Sequence, residues 1–517
     1  MKRHSASLEA LLAAALVACS QYGCSPSPDA ASPDAASPDA ASPDGRLPDG
    51  GLPDGGSPDA GSPDGGSPDG GSPASGPLAA LWAGRLRLVV DPAFAPPTEL
   101  GGHVETATVA HGGQYLMLYR TFVDQPAGQP AIALATSTDG DTWTAHNGGR
   151  PVLARGGAPG GIDDGYLIAP AVVSDGTTLT AVYEAWAGSG KQVVAAAQSS
   201  DGITWSKLGT VVPASSSGWE SGNTGTPSML REGGVTSVFY HGFRGSDGTG
   251  ALARGFASGS SVTALVKHGP PVLTGLAGTW TDVGIGRGDV LREGAFYYMV
   301  FEGTDGSAMC TASAKYGWGL ARSADLVTWE VWPHNPVLTD TDGSCGNDMP
   351  SWQTIGNRIM VVTTRSDTNG VRRFKLEPAA AAGTALATYQ AETQLSHLVG
   401  HVDGTDWVAT APGESAGALA YGPYVTTLPS GVAEARFRLA GSGVPGGTVV
   451  ATLEVNDSTA NTVRATVDAT GSQLPASGYV EIAVPFLVPP DPHALEFRVW
   501  WKGLGTLRLD RVTVTAR

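Results

Sequence analysis

Cysteine is scarce: the 517 residues hold four, at positions 19, 24, 310 and 345. That excludes a disulfide-dense scaffold, and neither Cys310 nor Cys345 has the close Cys or His spacing of a zinc site. Charge is also sparse, with Asp, Glu, Lys and Arg making up 15% of the chain and a formal net charge of −17. No basic run occurs, which argues against a nucleic-acid partner. Beyond residue 18 no stretch is long and apolar enough to span a bilayer, and no segment sustains a helical period. Turn formers are abundant instead, with Gly at 72 and Pro at 37. A chain of many turns and little helical pattern is read as all-β.

The turns recur at a fixed period. S-T-D-G-D-T-W at 137–143 returns as S-S-D-G-I-T-W at 199–205 and as S-A-D-L-V-T-W at 323–329, and S-G-S-S-V-T-A at 258–264 is a degenerate copy between the last two. An apolar run of strand type precedes each: Tyr115 to Tyr119, Leu179 to Tyr183, Val235 to Tyr240 and Phe296 to Phe301. Pro-Val-Leu follows at 151–153, 271–273 and 336–338, and a fifth unit without the turn opens at Met349-Pro350-Ser351-Trp352. Five units of roughly sixty residues, each able to supply four strands, predict a five-bladed β-propeller over 81–380. Arg85 to Val90 is expected to close the ring. The Ser, Asp and Trp of the motif are expected to hold a hairpin turn, so Asp139, Asp201 and Asp325 are read as structural.

The N-terminal end has a different character. Lys2 and Arg3 precede an apolar run from Ala10 to Ala18, and Leu16-Val17-Ala18-Cys19 resembles the bacterial lipobox. Residues 1–18 are expected to be a lipoprotein signal peptide and Cys19 the lipidated residue. Ser20 after Cys19 points to the outer membrane or cell surface. Residues 19–80 read as a low-complexity spacer, in which Asp follows Pro at 29, 34, 39, 44, 49, 54, 59, 64 and 69; such a segment has almost nothing to bury and is expected to stay extended. In an oxidising compartment Cys310 and Cys345 are expected to pair as a disulfide.

S-A-D-L-V-T-W-E-V-W-P-H-N-P-V-L at 323–338, with F-Y-Y-M-V-F-E-G at 296–303, resembles the five-bladed glycoside hydrolases of families 43, 32, 62 and 130. The Asp-box of six-bladed sialidases is a poorer match, because here Trp stands one residue too close to Asp. In a propeller, inner strands start and second strands end at one mouth of the channel. Aligned strand starts bring His103-Val104-Glu105, Leu167-Ile168-Ala169, Thr224-Gly225-Thr226, Ile285-Gly286-Arg287 and Asn347-Asp348-Met349 to that mouth. Aligned second strands bring Arg120, Glu184, His241, Glu302 and Arg365 there. Glycoside cleavage needs two carboxyl groups across the scissile bond. The resemblance implies catalytic carboxylates at the first three inner strand starts, and Glu105 matches the first. The second and third strands carry Ala169 and Thr226 in register, so Glu184 and Glu302 are the substitute candidates. Arg120, His241, Asp348 and Arg365 are the candidate substrate-binding residues.

From Tyr389 the chain alternates apolar and polar residues, as in L-E-F-R-V-W-W-K-G at 495–503, which predicts a β-sandwich over 388–517. This segment resembles carbohydrate-binding modules of families 6 and 35. By that resemblance Gln390, Glu392 and Asp510 are expected to ligate a structural calcium. Trp407, Tyr424, Trp500 and Trp501 are read mostly as core. The chain is expected to be a monomeric, surface-anchored glycoside hydrolase acting on furanoside or related polysaccharides, with no catalytic cofactor and no membrane contact beyond its lipid. The alternative is a non-catalytic glycan-binding lipoprotein with a degenerate propeller site.

Overall fold

The computed structural model describes residues 76–100, 104–243, 252–305, 316–339, 348–365 and 370–517. Cys19, most of the spacer and both Cys310 and Cys345 lie outside the described residues. The folded chain begins earlier than the spacer boundary at 80 implies. Pro77–Trp82 form a helix that buries Leu78, Ala79 and Leu81, and its Leu78 and Ala79 N–H groups donate to the Glu293 carboxylate at 3.1 and 2.9 Å.

Five antiparallel sheets follow, each starting from an inner strand: Thr106–His111, Tyr166–Ser174, Asn223–Glu232, Gly284–Glu293 and Ser351–Ile355. The second strands are Gln114–Thr121, Leu179–Trp186, Val235–Phe243, Phe296–Thr304 and Arg358–Arg365, and third strands pair outside them. This is the five-bladed propeller read from the repeat. The fourth strand of blade 5 is Leu86–Val90, running antiparallel to Gly370–Pro378 with Leu86 opposite Pro378. The ring is thus closed by the N-terminal strand, as expected.

The recurrent turn explains the period. Ser137 Oγ donates to Asp139 Oδ1 and accepts from Gly140 N–H, while Asp139 Oδ1 takes the N–H groups of Asp141 and Thr142 at 2.8 and 2.9 Å. Ser199 with Asp201 and Ser323 with Asp325 repeat the arrangement. The turn needs a left-handed residue after Asp, supplied by Gly140, Gly202 and, at some strain, Leu326 at φ 69°. Each Trp donates its indole N–H to the carbonyl of that residue. Burial differs among the three: Trp143 is 4% exposed and packed in the core, whereas Trp205 and Trp329 are half-buried.

After the propeller, two sheets face each other. One contains Asp406–Thr410, Gly431–Ser442, Val480–Val488 and Thr506–Ala516, the other Val449–Asp457, Thr462–Thr470 and Leu495–Trp501. Alternate residues such as Phe437, Leu453, Phe497, Val499 and Trp501 fill the space between them. Trp501 is therefore core, Trp407 lies half-buried 3.6 Å from the His397 ring, and Tyr424 is exposed. Val432 and Leu487 of this sandwich join Leu81, Leu88 and Trp332 in one apolar cluster, so propeller and sandwich share a core.

Candidate active site at the propeller mouth

Register fixes which residues correspond between blades. Arg120, Glu184 and Glu302 lie opposite Ile132, Val194 and Trp318 on the third strands. Those three stand five positions before Ser137, Ser199 and Ser323. Three of the five inner strands carry a bulge at this mouth, between Ile168 and Ala171, Gly225 and Ser228, and Ile285 and Gly288. Ala169, Thr226 and Met349 sit in left-handed backbone at φ 50°, 34° and 50°, each directly before a proline.

Two of these left-handed residues aim a backbone donor at a side chain of the preceding blade. Thr226 N–H donates to Glu184 Oε2 at 2.9 Å and Met349 N–H to Glu302 Oε2 at 3.2 Å. Glycine at 225 and 286 leaves room for these carboxylates, since a Cβ there would collide with Glu184 and Glu302 respectively. Glu184 Oε1 takes the Tyr166 hydroxyl at 3.0 Å, and Tyr166 is itself bonded by Gln192 Nε2 at 2.5 Å. Burial pushes the Glu184 carboxyl up to about 7, against the lowering effect of its two hydrogen bonds; the nearby Glu105 raises it further and Arg120 lowers it.

Glu105 is fully buried and differs in its partners. Arg120 Nη1 lies 3.1 Å from Glu105 Oε1, yet off the axis of a directed hydrogen bond, and neither Glu105 oxygen accepts one. Arg120 therefore pairs with Glu105 and not with Glu184. Thr226 Oγ1 bonds His241 Nδ1 at 2.7 Å, and burial, helped by the Arg254 charge, brings His241 down to about 3, so its imidazole is neutral. Asp348 is 1% exposed and bonded by the Thr364 hydroxyl. Arg365 ends the second strand of blade 5 opposite Gly370, and its side chain lies outside the described set, as does His103.

Two buried arginines complete the mouth, and sequence reasoning did not select either as a site residue. Arg287 Nη2 donates to Thr106 O at 2.9 Å and Pro170 O at 3.2 Å, so it reaches from blade 4 to blades 1 and 2. Arg254 donates to Thr226 O, Gly286 O and Gly288 O at 2.9 to 3.0 Å. Their signal in the sequence is weak: one arginine inside an apolar strand in A-L-A-R-G-F-A, another between glycines in G-R-G. Other nearby carboxylates have structural work. Asp289 accepts from Trp352 N–H at 2.8 Å and Val290 N–H at 3.0 Å, while Asp163 and Glu220 pair with Lys207 and Lys267.

In the sandwich, Gln390 lies opposite Arg511, next to Asp510. The Asp510 carboxylate is held by Arg438 and Arg511, and among the described residues no group of three acidic, His or Cys side chains could hold a metal. With the Asp510 charge taken by two guanidinium groups, Gln390, Glu392 and Asp510 as placed do not fit a calcium ion.

No protein-family model and no curated protein matches this chain. Solved structures do. A family-130 glycoside hydrolase that targets β-1,2-mannosidic linkages in Candida mannan is similar at TM-score 0.44 and 13% identity, over 58% of this chain and 96% of that one. A thermostable family-43 glycoside hydrolase gives TM-score 0.42 and 16% identity, over 57% and 94%. A β-1,2-mannobiose phosphorylase from Listeria innocua gives TM-score 0.42 and 13% identity, over 56% and 90%. Likeness at this level carries no argument about chemistry, and the propeller rests on its own blade pairings.

Proposed function

We propose that the chain acts on glycans and that this propeller mouth cleaves glycosidic bonds, with Glu184 and Glu105 as the carboxyl pair. The observation that carries the proposal is their contrast in environment: one carboxyl group kept protonated near neutrality, and beside it a buried carboxylate whose oxygens are free of directed hydrogen bonds. Two carboxyl groups in surroundings this different are suited to acid and base roles. Glu184 protonates the departing oxygen, and Glu105 activates water or attacks the sugar carbon. A furanoside or related polysaccharide as substrate, and tethering to a bacterial surface through Cys19, belong to the same proposal. Turnover of polysaccharides and aryl glycosides by the purified chain tests it, with Glu105→Gln and Glu184→Gln each expected to abolish activity; Glu184→Gln should melt near wild type, whereas Glu105→Gln also loses the ion pair with Arg120.

A second reading has its own support. Glu184 and Glu302 both accept a backbone N–H from the next blade, which is a structural task. A glycan-binding protein without turnover would keep those contacts, and sugar binding in the absence of any cleavage would identify it.

A further inference from the structure

The second strands of blades 1, 2 and 3 end in a shared pattern: Tyr119-Arg120-Thr121-Phe122, Tyr183-Glu184-Ala185-Trp186 and Tyr240-His241-Gly242-Phe243. Residues two apart in extended chain lie on one side of it. Phe122, Trp186 and Phe243 therefore stand on the same side as Arg120, Glu184 and His241, one step closer to the rim. The tyrosines are core, none more than 1% exposed, but Phe122 is 47% exposed and Trp186 and Phe243 are half-buried. Packing thus accounts for the first aromatic of each pattern and not for the second. Blade 4 has the buried Thr304 at this place and blade 5 has Asp367, so the aromatic arc covers blades 1 to 3 only.

Two of the three rings are tied to the carboxyl pair through a single residue each. Arg120 lies 5.6 Å from the centre of the Phe122 ring, and its Nη1 is 3.1 Å from Glu105 Oε1. The Trp186 ring lies 5.4 Å from that of Tyr166, tilted by 41°, and the Tyr166 hydroxyl donates to Glu184 Oε1 at 3.0 Å. Trp186 also donates its indole N–H to Gly190 O at 3.2 Å, which fixes the ring and leaves its apolar surface to offer. Phe243 ends the second strand of blade 3, opposite Asn223.

We propose that Phe122, Trp186 and Phe243 are stacking platforms for successive sugar rings, so that the mouth recognises an extended glycan chain lying across the lip of blades 1 to 3 and not a single terminal sugar. The inference rests on the glycan reading above and names the form of its substrate. A sugar ring presents C–H groups on one face, which an aromatic ring covers, while its hydroxyls at the edge stay in water or meet polar groups. Rings set along an arc suit a run of such units, whereas a site for one sugar would enclose it. Contacts to the outer sugars then add binding energy that is expressed at the carboxyl pair, so longer substrates gain in rate as well as affinity.

The test compares the disaccharide with the hexasaccharide from each of arabinan, xylan and mannan, using the full chain. In at least one series the hexasaccharide is expected to exceed the disaccharide by about tenfold or more in kcat/KM, or in affinity where nothing is cleaved. Phe122→Ala and Trp186→Ala should each cut that length ratio by about fivefold, and Phe122→Tyr, which keeps the ring, should retain it. Melting is recorded for every variant; Phe122 is exposed enough for its alanine variant to fold, so it decides if Trp186→Ala does not. A wild-type ratio near one, or alanine variants that weaken both lengths equally, overturns the platforms and leaves the glycan reading standing. A length ratio seen in binding alone, and lost in the alanine variants, keeps the platforms and overturns cleavage by the carboxyl pair. Absence of binding and turnover in all three series overturns both.

Discussion

Glu105 and Glu184 show how little residue type says about role. Both are buried glutamates at the same mouth, but only Glu184 has its two oxygens hydrogen-bonded. With the Glu184 carboxyl at about 7 in the folded protein, it is protonated at pH 5 to 6 and ionised above 8. If it is the proton donor, turnover should fall as pH rises through about 7, which a pH profile of kcat/KM checks. The same raised value makes a stability prediction of definite sign: Glu184 opposes folding progressively as pH rises from its ordinary 4.5 toward 7. Glu184→Gln should therefore flatten the decline of melting temperature across that interval. Asp510 gives the opposite lesson. Its motif resembles a calcium ligand, yet Arg438 and Arg511 already balance it. Melting in millimolar calcium and in chelator should agree within a degree, and a rise of several degrees with calcium would reject this account.

At the scale of the element, the turns were legible and the bulges were not. A Ser-x-Asp turn is a local device whose partners lie within seven residues, so its spacing, together with the apolar runs and a fifth unit that lacks it, yielded five blades. The inter-blade contacts at the mouth depend on left-handed residues before proline and on donors meeting a different blade, and no sequence window contains both partners. For the same reason Arg254 and Arg287 escaped selection, since their acceptors are backbone carbonyls of other blades. Column alignment nevertheless brought Glu105, Glu184 and Glu302 to one mouth. The turns themselves should show two effects. Trp143→Ala is expected to cost about 3 to 5 kcal/mol, as for other buried large aromatics, and the half-buried Trp205 distinctly less; denaturant melts of both variants check the ranking. Hydrogen bonds hold Asp139 and Asp325 down at about 2 against an ordinary 3.8. They contribute stability above pH 4 that is lost as pH falls through 2, so Asp139→Asn should blunt acid unfolding in that window.

The whole molecule is a ring held shut by residues far apart in sequence. Hydrogen bonds of the Leu86–Val90 strand close blade 5, and one side chain locks the join. Arg373 is 1% exposed; it donates to Asp91 Oδ2 at 2.8 Å, to Gln353 Oε1 at 2.9 Å and to Gly140 O at 2.5 Å, and it also pairs with Asp141. These partners belong to the end of the closing strand, the inner strand of blade 5 and the recurrent turn of blade 1, so a single guanidinium joins both sides of the seam. Removing one partner of a buried ion pair leaves an uncompensated charge, here Asp91 at 7% exposure, and typically costs about 3 to 5 kcal/mol. Arg373→Ala should therefore destabilise the protein by that amount. Its effect should concentrate at the seam, with faster amide exchange in Leu86–Val90 and Gly370–Pro378 than in the strands of blade 3. Arg358 provides the comparison, because it also pairs with Asp141, at 3.0 Å, but is largely exposed. Exposed ion pairs contribute about 0 to 1 kcal/mol, and Arg358→Ala should change melting little. Equal losses in the two variants would show that the seam is held by strand pairing alone and that Arg373 is not its lock.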